Sequence, residues 1–271
     1  MALIRIQNVH VAYNGRTVLD HVSLDIREGE FVCVLGETGC GKTTMLRLIL
    51  GSEKPRGGHI LIDGVEHHQP DRTRGYVPQK YSLFPDRTVL DNITFGPEVS
   101  EFNLFTRFTP AFYRRRKQLR EEARQYLRRI GLREADACKY PDQLSGGMQQ
   151  RVAIAQALIN RPRILLMDEA FSALDPNTRR DMQDLIKELW REMGATILFV
   201  THNTSEAIRL ASRVIVLAKP SPDCGSRLAL DLQIPQPCEE AEIPSLVRKL
   251  EYLDLGDLTA SSPAEALSTR S

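Results

Sequence analysis

Residues 36–43 decide the fold, and they read Gly36-Glu37-Thr38-Gly39-Cys40-Gly41-Lys42-Thr43. They fit the pattern G-x-x-x-x-G-K-[ST] of a phosphate-binding loop, in which glycines let backbone N–H groups point at phosphate oxygens. The positive N-terminal end of a following helix adds to this attraction. We expect Lys42 to reach the outer phosphates of a nucleotide and the hydroxyl of Thr43 to bind Mg²⁺. Thr44 belongs to the same predicted nucleotide-binding set.

The loop stands between a predicted strand and a predicted helix, which is the context that phosphate binding requires. Residues 31–35 form a short apolar run typical of a buried strand, and residues 42–50 have helical periodicity. Residues 3–11 and 18–26 alternate apolar and polar side chains, which predicts two strands joined by a turn at residues 13–15. The alternative, a glycine-rich loop that binds nothing, does not explain this context.

The rest of the chain alternates strand candidates with helical stretches. Strands are predicted at residues 59–62, 75–78, 164–167, 196–200 and 214–217. Helical patterns at residues 179–192 and 205–211 separate the last three strands, which predicts a parallel sheet covered by helices. Residues 84–144 are helical and more charged, and one helix there has an apolar face formed by Leu119, Ala123, Tyr126, Leu127 and Ile130. A further helix is predicted at residues 147–159.

An apolar strand that ends in two carboxylates reads Ile164-Leu165-Leu166-Met167-Asp168-Glu169. This matches the Walker B arrangement, in which we expect Asp168 to hold Mg²⁺ and Glu169 to polarise the attacking water. Adjacent side chains at the end of a strand point in different directions, so the two carboxylates can divide these tasks. The alternative is a buried strand that ends in two solvated acids, and the phosphate-binding loop argues against it.

The signature stretch of the chain reads Leu144-Ser145-Gly146-Gly147-Met148-Gln149-Gln150-Arg151. It resembles the LSGGQ signature of the ATP-binding cassette superfamily, with Met148 inserted before the glutamine. A serine and two glycines at a helix N-terminus form an anion site. The resemblance implies that ATP is contacted by Ser145, Gly146, Gly147 and Gln149.

Other residues match the family in its usual order. Tyr13 corresponds to the aromatic residue that stacks on adenine, and Gln79 to a loop glutamine that senses Mg²⁺ and the transmembrane partner. The stretch Ser172-Ala173-Leu174-Asp175 matches the D-loop, whose Asp175 is expected to contact ATP. His202 corresponds to the switch histidine that contacts the γ-phosphate. The resemblance thus implies catalytic roles for Glu169, His202 and Gln79, and metal binding by Thr43, Gln79 and Asp168. A hairpin aromatic and an ordinary loop glutamine are the plain alternatives for Tyr13 and Gln79.

The family resemblance implies an α/β fold: a P-loop NTPase, RecA-like core with a parallel sheet, an antiparallel β-subdomain and an inserted α-helical subdomain. On this basis residues 1–83 form the first part of the core with the β-subdomain and the phosphate-binding loop. Residues 84–147 form the helical signature subdomain. Residues 148–219 complete the core with Walker B and the switch histidine, and residues 220–271 form a weakly structured C-terminal tail.

The implied function is ATP hydrolysis with Mg²⁺ by a head-to-tail dimer of two ATPase subunits, which drives transmembrane permease subunits. A single cassette suits an importer served by a solute-binding protein. Residues 171–179 and 216–235 resemble the nitrate, sulfonate and taurine importer group. The alternatives are an ATPase of a lipid or drug export system and a soluble family member outside transport.

Composition limits the remaining classes. The net charge of +1 lacks the basic excess of a general nucleic-acid binder, so no nucleic-acid partner is expected. The five cysteines form no C-x-x-C pair, which favours a reducing compartment. No signal-peptide core and no run of about 18 apolar residues is present. We therefore expect a peripheral protein on the cytoplasmic face of the inner or plasma membrane.

Three features depart from the usual family pattern. Ala170 stands where proline is usual, and Asn203 follows His202 where aspartate is common. Residues 96–117 form a longer connection that is aromatic and then basic. They either contact the membrane partner or anionic headgroups, or fold back onto the helical subdomain with a solvated helix start.

Overall fold

The computed structural model describes residues 2–80, 83–102, 109–221, 223–235 and 243–248. In chain order the strands are β1 (Ala2–Tyr13), β2 (Arg16–Arg27), β3 (Phe31–Leu35), β4 (Gly57–Ile62), β5 (Val65–Glu66), β6 (Arg74–Val77), β7 (Ile164–Asp168), β8 (Thr196–Val200), β9 (Arg213–Ala218) and β10 (Arg227–Gln233). The helices are α1 (Lys42–Leu50), α2 (Val89–Glu101), α3 (Pro110–Arg129), α4 (Gly146–Leu158), α5 (Pro176–Met193) and α6 (Thr204–Leu210), with 3₁₀ turns at Glu134–Cys138 and Pro141–Gln143. The chain forms two compact units, one made of Met1–His68 and Val200–Ser271 and the other of Gln69–Phe199.

An antiparallel sheet in the first unit has the strand order β2-β1-β4-β5. The β1–β2 hairpin turns at Asn14 and Gly15, whose φ angles of 49° and 79° are both positive. Such a two-residue turn matches the twist of paired strands, and Asn-Gly is among the pairs that adopt it most readily. The hairpin confirms the two predicted strands and their turn, and both strands extend beyond the predicted bounds.

The other strands of the first unit have the order β10-β9-β3. β3 and β9 run parallel, with Val32 opposite Arg213 and Leu35 opposite Val216. Every residue of β3 is buried, which explains why the strand reads as an unbroken apolar run. β3 ends at the phosphate-binding loop, and α1 begins directly after it.

The prediction of a weakly structured tail is wrong for residues 227–233. These residues form β10, which pairs antiparallel with β9 so that Leu228 lies opposite Leu217. The guanidinium of Arg213 fixes the pairing because it bonds both carboxylate oxygens of Asp231, at 2.7 and 2.6 Å. Residues 243–248 are helical, and the remainder of a helix predicted at residues 243–253 lies outside the described residues.

In the second unit the strands have the order β8-β7-β6, and β6 runs parallel to β7. β7 and β8 are buried at every residue, as their apolar sequences predict. α5 has Asp175 as its N-cap residue and Pro176 in its first turn. Its C-cap residue is Gly194, whose φ of 62° suits glycine.

The helical part of the second unit packs α3 against α2 and α4. The buried residues of α3 include Leu119, Ala123 and Leu127, which belong to its predicted apolar face. Arg151 of α4 donates to the carbonyl oxygens of Ile130 and Gly131 at 3.1 and 3.0 Å, so α4 is tied to the end of α3. Among the described residues, no helix combines the length and apolarity needed to cross a bilayer.

The described parts of residues 96–117 are tied to one another. Arg115 forms a two-pronged ion pair with Glu101 at 2.8 and 3.0 Å, and Arg116 bonds Glu98 at 3.1 Å. The rings of Phe102 and Phe112 meet edge to face with centroids 5.1 Å apart. These contacts favour the folded-back alternative for residues 96–102 and 109–117, and residues 103–108 lie outside the described residues.

Candidate nucleotide-binding site

The loop at residues 36–43 requires glycine at two positions. Gly36 has a φ of 151°, and a Cβ there would lie 2.3 Å from the carbonyl oxygen of Leu217. Gly41 has a φ of 95°, and a Cβ there would lie 2.8 Å from Leu19 and 2.9 Å from Val18. Any side chain at either position would clash and change the backbone conformation of the loop. The loop therefore keeps the bare backbone that phosphate binding needs.

Lys42 lies folded over this loop at the start of α1. Its Nζ donates to the carbonyl oxygens of Gly36 and Glu37 at 2.6 and 2.8 Å. The N-cap residue of α1 is Gly41, and among the described residues no side chain caps this helix end. Burial raises the pKa of the Cys40 thiol, so Cys40 contributes to the loop as a neutral side chain. A phosphate group would take over the hydrogen bonds of the lysine.

Tyr13 lies beside the first turn of α1. Its hydroxyl donates to Oε2 of Glu53 and also hydrogen-bonds the side chain of Thr44. Burial, with Glu53, raises the pKa of Tyr13, so the phenol stays protonated at neutral pH. Its side chain is 44% exposed, which leaves a ring surface for stacking near the loop. The first unit thus brings Tyr13 and Thr44, two predicted nucleotide-binding residues, into contact.

His202 follows β8 and precedes α6. Thr201 anchors this turn, since its N–H donates to the carbonyl oxygen of Val34 at 3.2 Å, near the end of β3. Asn203 caps α6 by accepting from the N–H of Glu206 at 3.0 Å. Asparagine caps helices as well as aspartate does, so this departure from the family pattern keeps the local structure.

Asp168 and Glu169 lie at the end of β7 in the second unit and contact different partners. Asp168 is buried, and its Oδ2 lies 3.5 Å from the hydroxyl of Tyr76. Glu169 has a φ of 45°, and its Oε2 accepts from Nε2 of Gln79 at 2.8 Å. The structure therefore brings Gln79 and Glu169 together, and the two carboxylates contact different side chains.

The signature helix α4 begins at Gly146 and has Ser145 as its N-cap residue. The Oγ of Ser145 accepts from the N–H of Met148 at 3.3 Å, and Nε2 of Gln149 donates to the carbonyl oxygen of Leu144 at 3.2 Å. A Cβ at Gly147 would lie 3.3 Å from the side chain of Leu174. Gly147 thus lies against the D-loop and leaves room for Leu174.

Asp175 ends the D-loop and caps α5, because Oδ1 accepts from the N–H of Thr178 at 3.1 Å. This hydrogen bond lowers the pKa of Asp175 and keeps it ionised. Arg179 holds the same loop by donating to the carbonyl oxygens of Phe171 and Leu174 at 3.2 and 3.0 Å. The contacts of Asp175 within this chain are those of a helix cap, and its contact with ATP stays a prediction.

Sequence patterns missed several residues that support these side chains. Gln150 is buried, and its Nε2 lies 3.5 Å from the carbonyl oxygen of Pro78, next to Gln79. Glu53 holds the hydroxyl of Tyr13, and Tyr76 approaches Asp168. Glu53 and Tyr76 belong to no motif. Gln150 stands in the signature stretch, but the pattern gave it no role of its own, and the burial of its polar side chain is the signal of such a contact.

Comparisons with known proteins identify the family. The family model described as ABC transporter matches residues 19–172. The uncharacterized ABC transporter ATP-binding protein MJ0412 of Methanocaldococcus jannaschii is 42% identical over 226 residues, which cover 83% of this chain and 80% of that protein. The spermidine/putrescine import ATP-binding protein PotA of Mannheimia succiniciproducens is 40% identical over 80% of this chain, and the match spans 56% of PotA.

The solved structures similar to this chain have the predicted fold. The ATP-binding cassette MJ0796, solved as a dimer in a post-hydrolysis state bound to ADP and Pi, aligns with a TM-score of 0.73 and 32% identity. The alignment covers 86% of this chain and 99% of that one. The predicted α/β fold of a P-loop NTPase is thereby confirmed. Because the family model spans more than half of the 271 residues, this chain belongs to the ABC transporter family and is an ATPase of the ABC-transporter type.

Proposed function

We propose that this chain binds ATP with Mg²⁺ and hydrolyses it to drive the import of a small solute through separate membrane subunits. The observation that carries this proposal is the loop at residues 36–43, whose glycines and buried Lys42 form a phosphate-binding backbone at the start of α1. Family membership supports the ATPase activity. The direction of transport rests on the likeness to PotA, which is named as an import protein.

The donor set suits Mg²⁺, which prefers hard oxygen ligands. Asp168 offers a buried carboxylate at the end of β7, and Thr43 offers a hydroxyl in the first turn of α1. Gln79 adds an amide oxygen, because its amide nitrogen is the atom bonded to Glu169. Bound Mg²⁺ would neutralise charge on the phosphate oxygens. We propose that these three residues hold it.

Each remaining residue has a proposed task in hydrolysis. Lys42 gives up its hydrogen bonds to the two loop carbonyl oxygens and donates to phosphate oxygens instead. Glu169 orients the attacking water and accepts its proton, and Gln79 positions the carboxylate of Glu169. His202 contacts the γ-phosphate, and the ring of Tyr13 stacks on adenine.

We propose that two ATPase subunits act as a head-to-tail dimer, so that Ser145, Gly146, Gly147 and Gln149 of one subunit face ATP on the loop of the other. The similarity to a cassette solved as a dimer with ADP and Pi supports this arrangement. An N-terminal helix end with a serine cap and two glycines suits a phosphate group approaching from outside the chain. Asp175 joins this surface through the loop that packs on Gly147.

The proposed partners are transmembrane permease subunits and a solute-binding protein, and the proposed location is the cytoplasmic face of the membrane. The similar proteins do not single out the nitrate, sulfonate and taurine group that residues 171–179 favour. PotA is named for spermidine and putrescine, which are cations, whereas nitrate and sulfonates are anions. The solute-binding protein that assembles with this chain decides between these two classes.

The assembly is tested by recovering tagged Glu169→Gln protein from detergent-solubilised cells with ATP and Mg²⁺, and by identifying the chains that accompany it. The proposal expects a multi-spanning membrane protein together with a solute-binding protein. The matched control is the same variant prepared without ATP, which separates nucleotide-dependent partners from constitutive ones. Recovery of ribosomal or other soluble complexes alone would contradict the transport function and leave the ATPase assignment intact.

A further inference from the structure

Two histidines and an aspartate meet on one face of the β1–β2 hairpin. Val9 pairs with Val22 and Val11 pairs with Leu19, so Asp20 and His21 on β2 lie opposite the single residue His10 on β1. This two-against-one arrangement is a β-bulge, and His21 has a φ of 52°. Because of the bulge, consecutive side chains that would normally point to opposite faces reach the same place as His10.

The three side chains present nitrogen and oxygen atoms at the spacing of metal ligands. Oδ1 of Asp20 lies 2.7 Å from Nδ1 of His21 and 3.5 Å from Nδ1 of His10, and one ligand atom from each residue lies within 4.8 Å of the others. Nδ1 of His10 is buried and makes no hydrogen bond to the described part of the chain. A buried ring nitrogen without a hydrogen bond is costly unless something else binds it.

The carboxylate of Asp20 is held so that one oxygen faces the imidazoles. Arg227 donates to the other oxygen, Oδ2, from Nε at 2.9 Å and from Nη2 at 2.6 Å. The backbone N–H of Asp20 donates to the carbonyl oxygen of Ser226 at 2.9 Å. The close approach of this segment depends on Gly225, since a Cβ there would lie 2.9 Å from Cβ of Asp20. Such outer contacts orient a metal-binding carboxylate.

We propose that His10, Asp20 and His21 bind a divalent transition-metal ion of the zinc class. Imidazole nitrogens with one carboxylate oxygen suit Zn²⁺, and three protein ligands leave one coordination position open. The ion replaces the hydrogen bond between His21 and Asp20, and any proton on the bound nitrogens is released. This site differs from the proposed Mg²⁺ site, which uses oxygen ligands on other elements.

The plain alternative is an ion-pair network in which Arg227, Asp20 and His21 stabilise the hairpin without metal. That network accounts for the contacts of both carboxylate oxygens, but it leaves Nδ1 of His10 buried without a hydrogen bond. The charge of Arg227 opposes a cation, so the site should bind Zn²⁺ more weakly than a closed structural zinc site.

The test is a calorimetric titration of chelator-treated, nucleotide-free protein with Zn²⁺. We expect one Zn²⁺ per chain, and a loss of affinity of at least about tenfold in Asp20→Asn and in His21→Ala. His21 is 61% exposed, so its replacement should leave the fold intact. The matched control is His68→Ala, which removes a histidine that lies 3.8 Å from Glu66 outside the site.

Exposed thiols are the main competing ligands, because Cys138 and Cys224 are both exposed. A double Cys138→Ser, Cys224→Ser variant should therefore keep its Zn²⁺ affinity and its rise in melting temperature on Zn²⁺ addition, and both should be reduced in His21→Ala. Wild-type protein that binds no stoichiometric Zn²⁺ would overturn the proposal. Equal affinity in wild type and His21→Ala, or loss of binding only in the cysteine variant, would overturn it too.

Discussion

The Nε2 of Gln79 donates to Oε2 of Glu169 at 2.8 Å, so the loop glutamine directly holds the proposed general base. A catalytic group that is displaced by about 1 Å loses roughly a hundredfold in rate. We expect Gln79→Ala to lower kcat by about this factor and to change the KM for ATP much less, because the phosphate-binding loop is unaltered. Steady-state ATPase measurements over a range of ATP concentrations check this separation.

The conservative variant Gln79→Glu sharpens the test. This change removes the amide N–H that donates to Glu169 and places a second carboxylate beside it, so Gln79→Glu should also lower kcat while changing the KM for ATP much less. A Gln79→Ala enzyme with raised KM and unchanged kcat would mean that Gln79 acts on nucleotide binding instead.

Lys42→Ala should weaken ATP binding itself. A hydrogen bond to a charged group contributes about 1.5–3 kcal/mol, so we expect the Kd for ATP to rise roughly 10- to 100-fold. Equilibrium binding of a fluorescent ATP analogue measures the change. The control is Lys54→Ala, which removes an exposed lysine shortly after α1. Unchanged affinity in Lys42→Ala would exclude the proposed phosphate contact.

Alanine substitutions at two loop glycines distinguish the cost of backbone strain from the cost of a steric clash. Gly41 and Gly39 both have positive φ, at 95° and 81°, but only a Cβ at Gly41 meets other side chains, those of the buried Leu19 and the half-buried Val18. Both alanine variants carry a conformational cost of about 1–2 kcal/mol. Gly41→Ala should be less stable than Gly39→Ala by denaturant unfolding and should bind ATP more weakly. Equal stability of the two variants would contradict the packing described for Gly41.

The stability of the helical part should depend on the ionisation of Asp91. Burial alone would raise its pKa, but the hydrogen bonds from Thr88 and Arg120 and the charge of Arg116 outweigh it, so the pKa is lowered. A lowered folded pKa gives stability that is present above the unfolded pKa, about 3.9, and is lost as pH falls through the folded value. Wild type should therefore lose more stability than Asp91→Asn on acidification.

Chemical unfolding of both proteins at about pH 6 and about pH 3 measures this difference. Parallel losses in the two proteins would show that Asp91 contributes no pH-dependent stability.

Local patterns predicted the strands and the helix around the loop. β3 at Phe31–Leu35 and α1 at Lys42–Leu50 have the predicted bounds, because burial on both faces and helical periodicity leave clear signals in the sequence. β10 was missed, although Leu228, Leu230 and Leu232 recur at every second position. Pro and Ser residues before this strand suggested loop structure, and its stability comes from pairing with β9, which is distant in the sequence.

The candidate site was predictable as a set of motifs and less so as a set of contacts. Gln79 and Glu169 were each identified by pattern, but their hydrogen bond joins residues that are 90 positions apart. The bulge that groups Asp20 and His21 with His10 has no motif either, since it depends on the register of two strands. Register and long-range contacts are properties of the folded chain.

The most direct test of the account is ATP binding and hydrolysis by Glu169→Gln. The carboxylate that accepts the proton is removed, while the loop and the proposed metal ligands remain. We predict ATP affinity close to wild type, a hydrolysis rate lower by at least about a hundredfold, and an ATP-dependent dimer in size-exclusion chromatography. The surface variant Glu121→Gln should behave as wild type. A Glu169→Gln protein that hydrolyses ATP at the wild-type rate would contradict the assignment of Glu169 as the base.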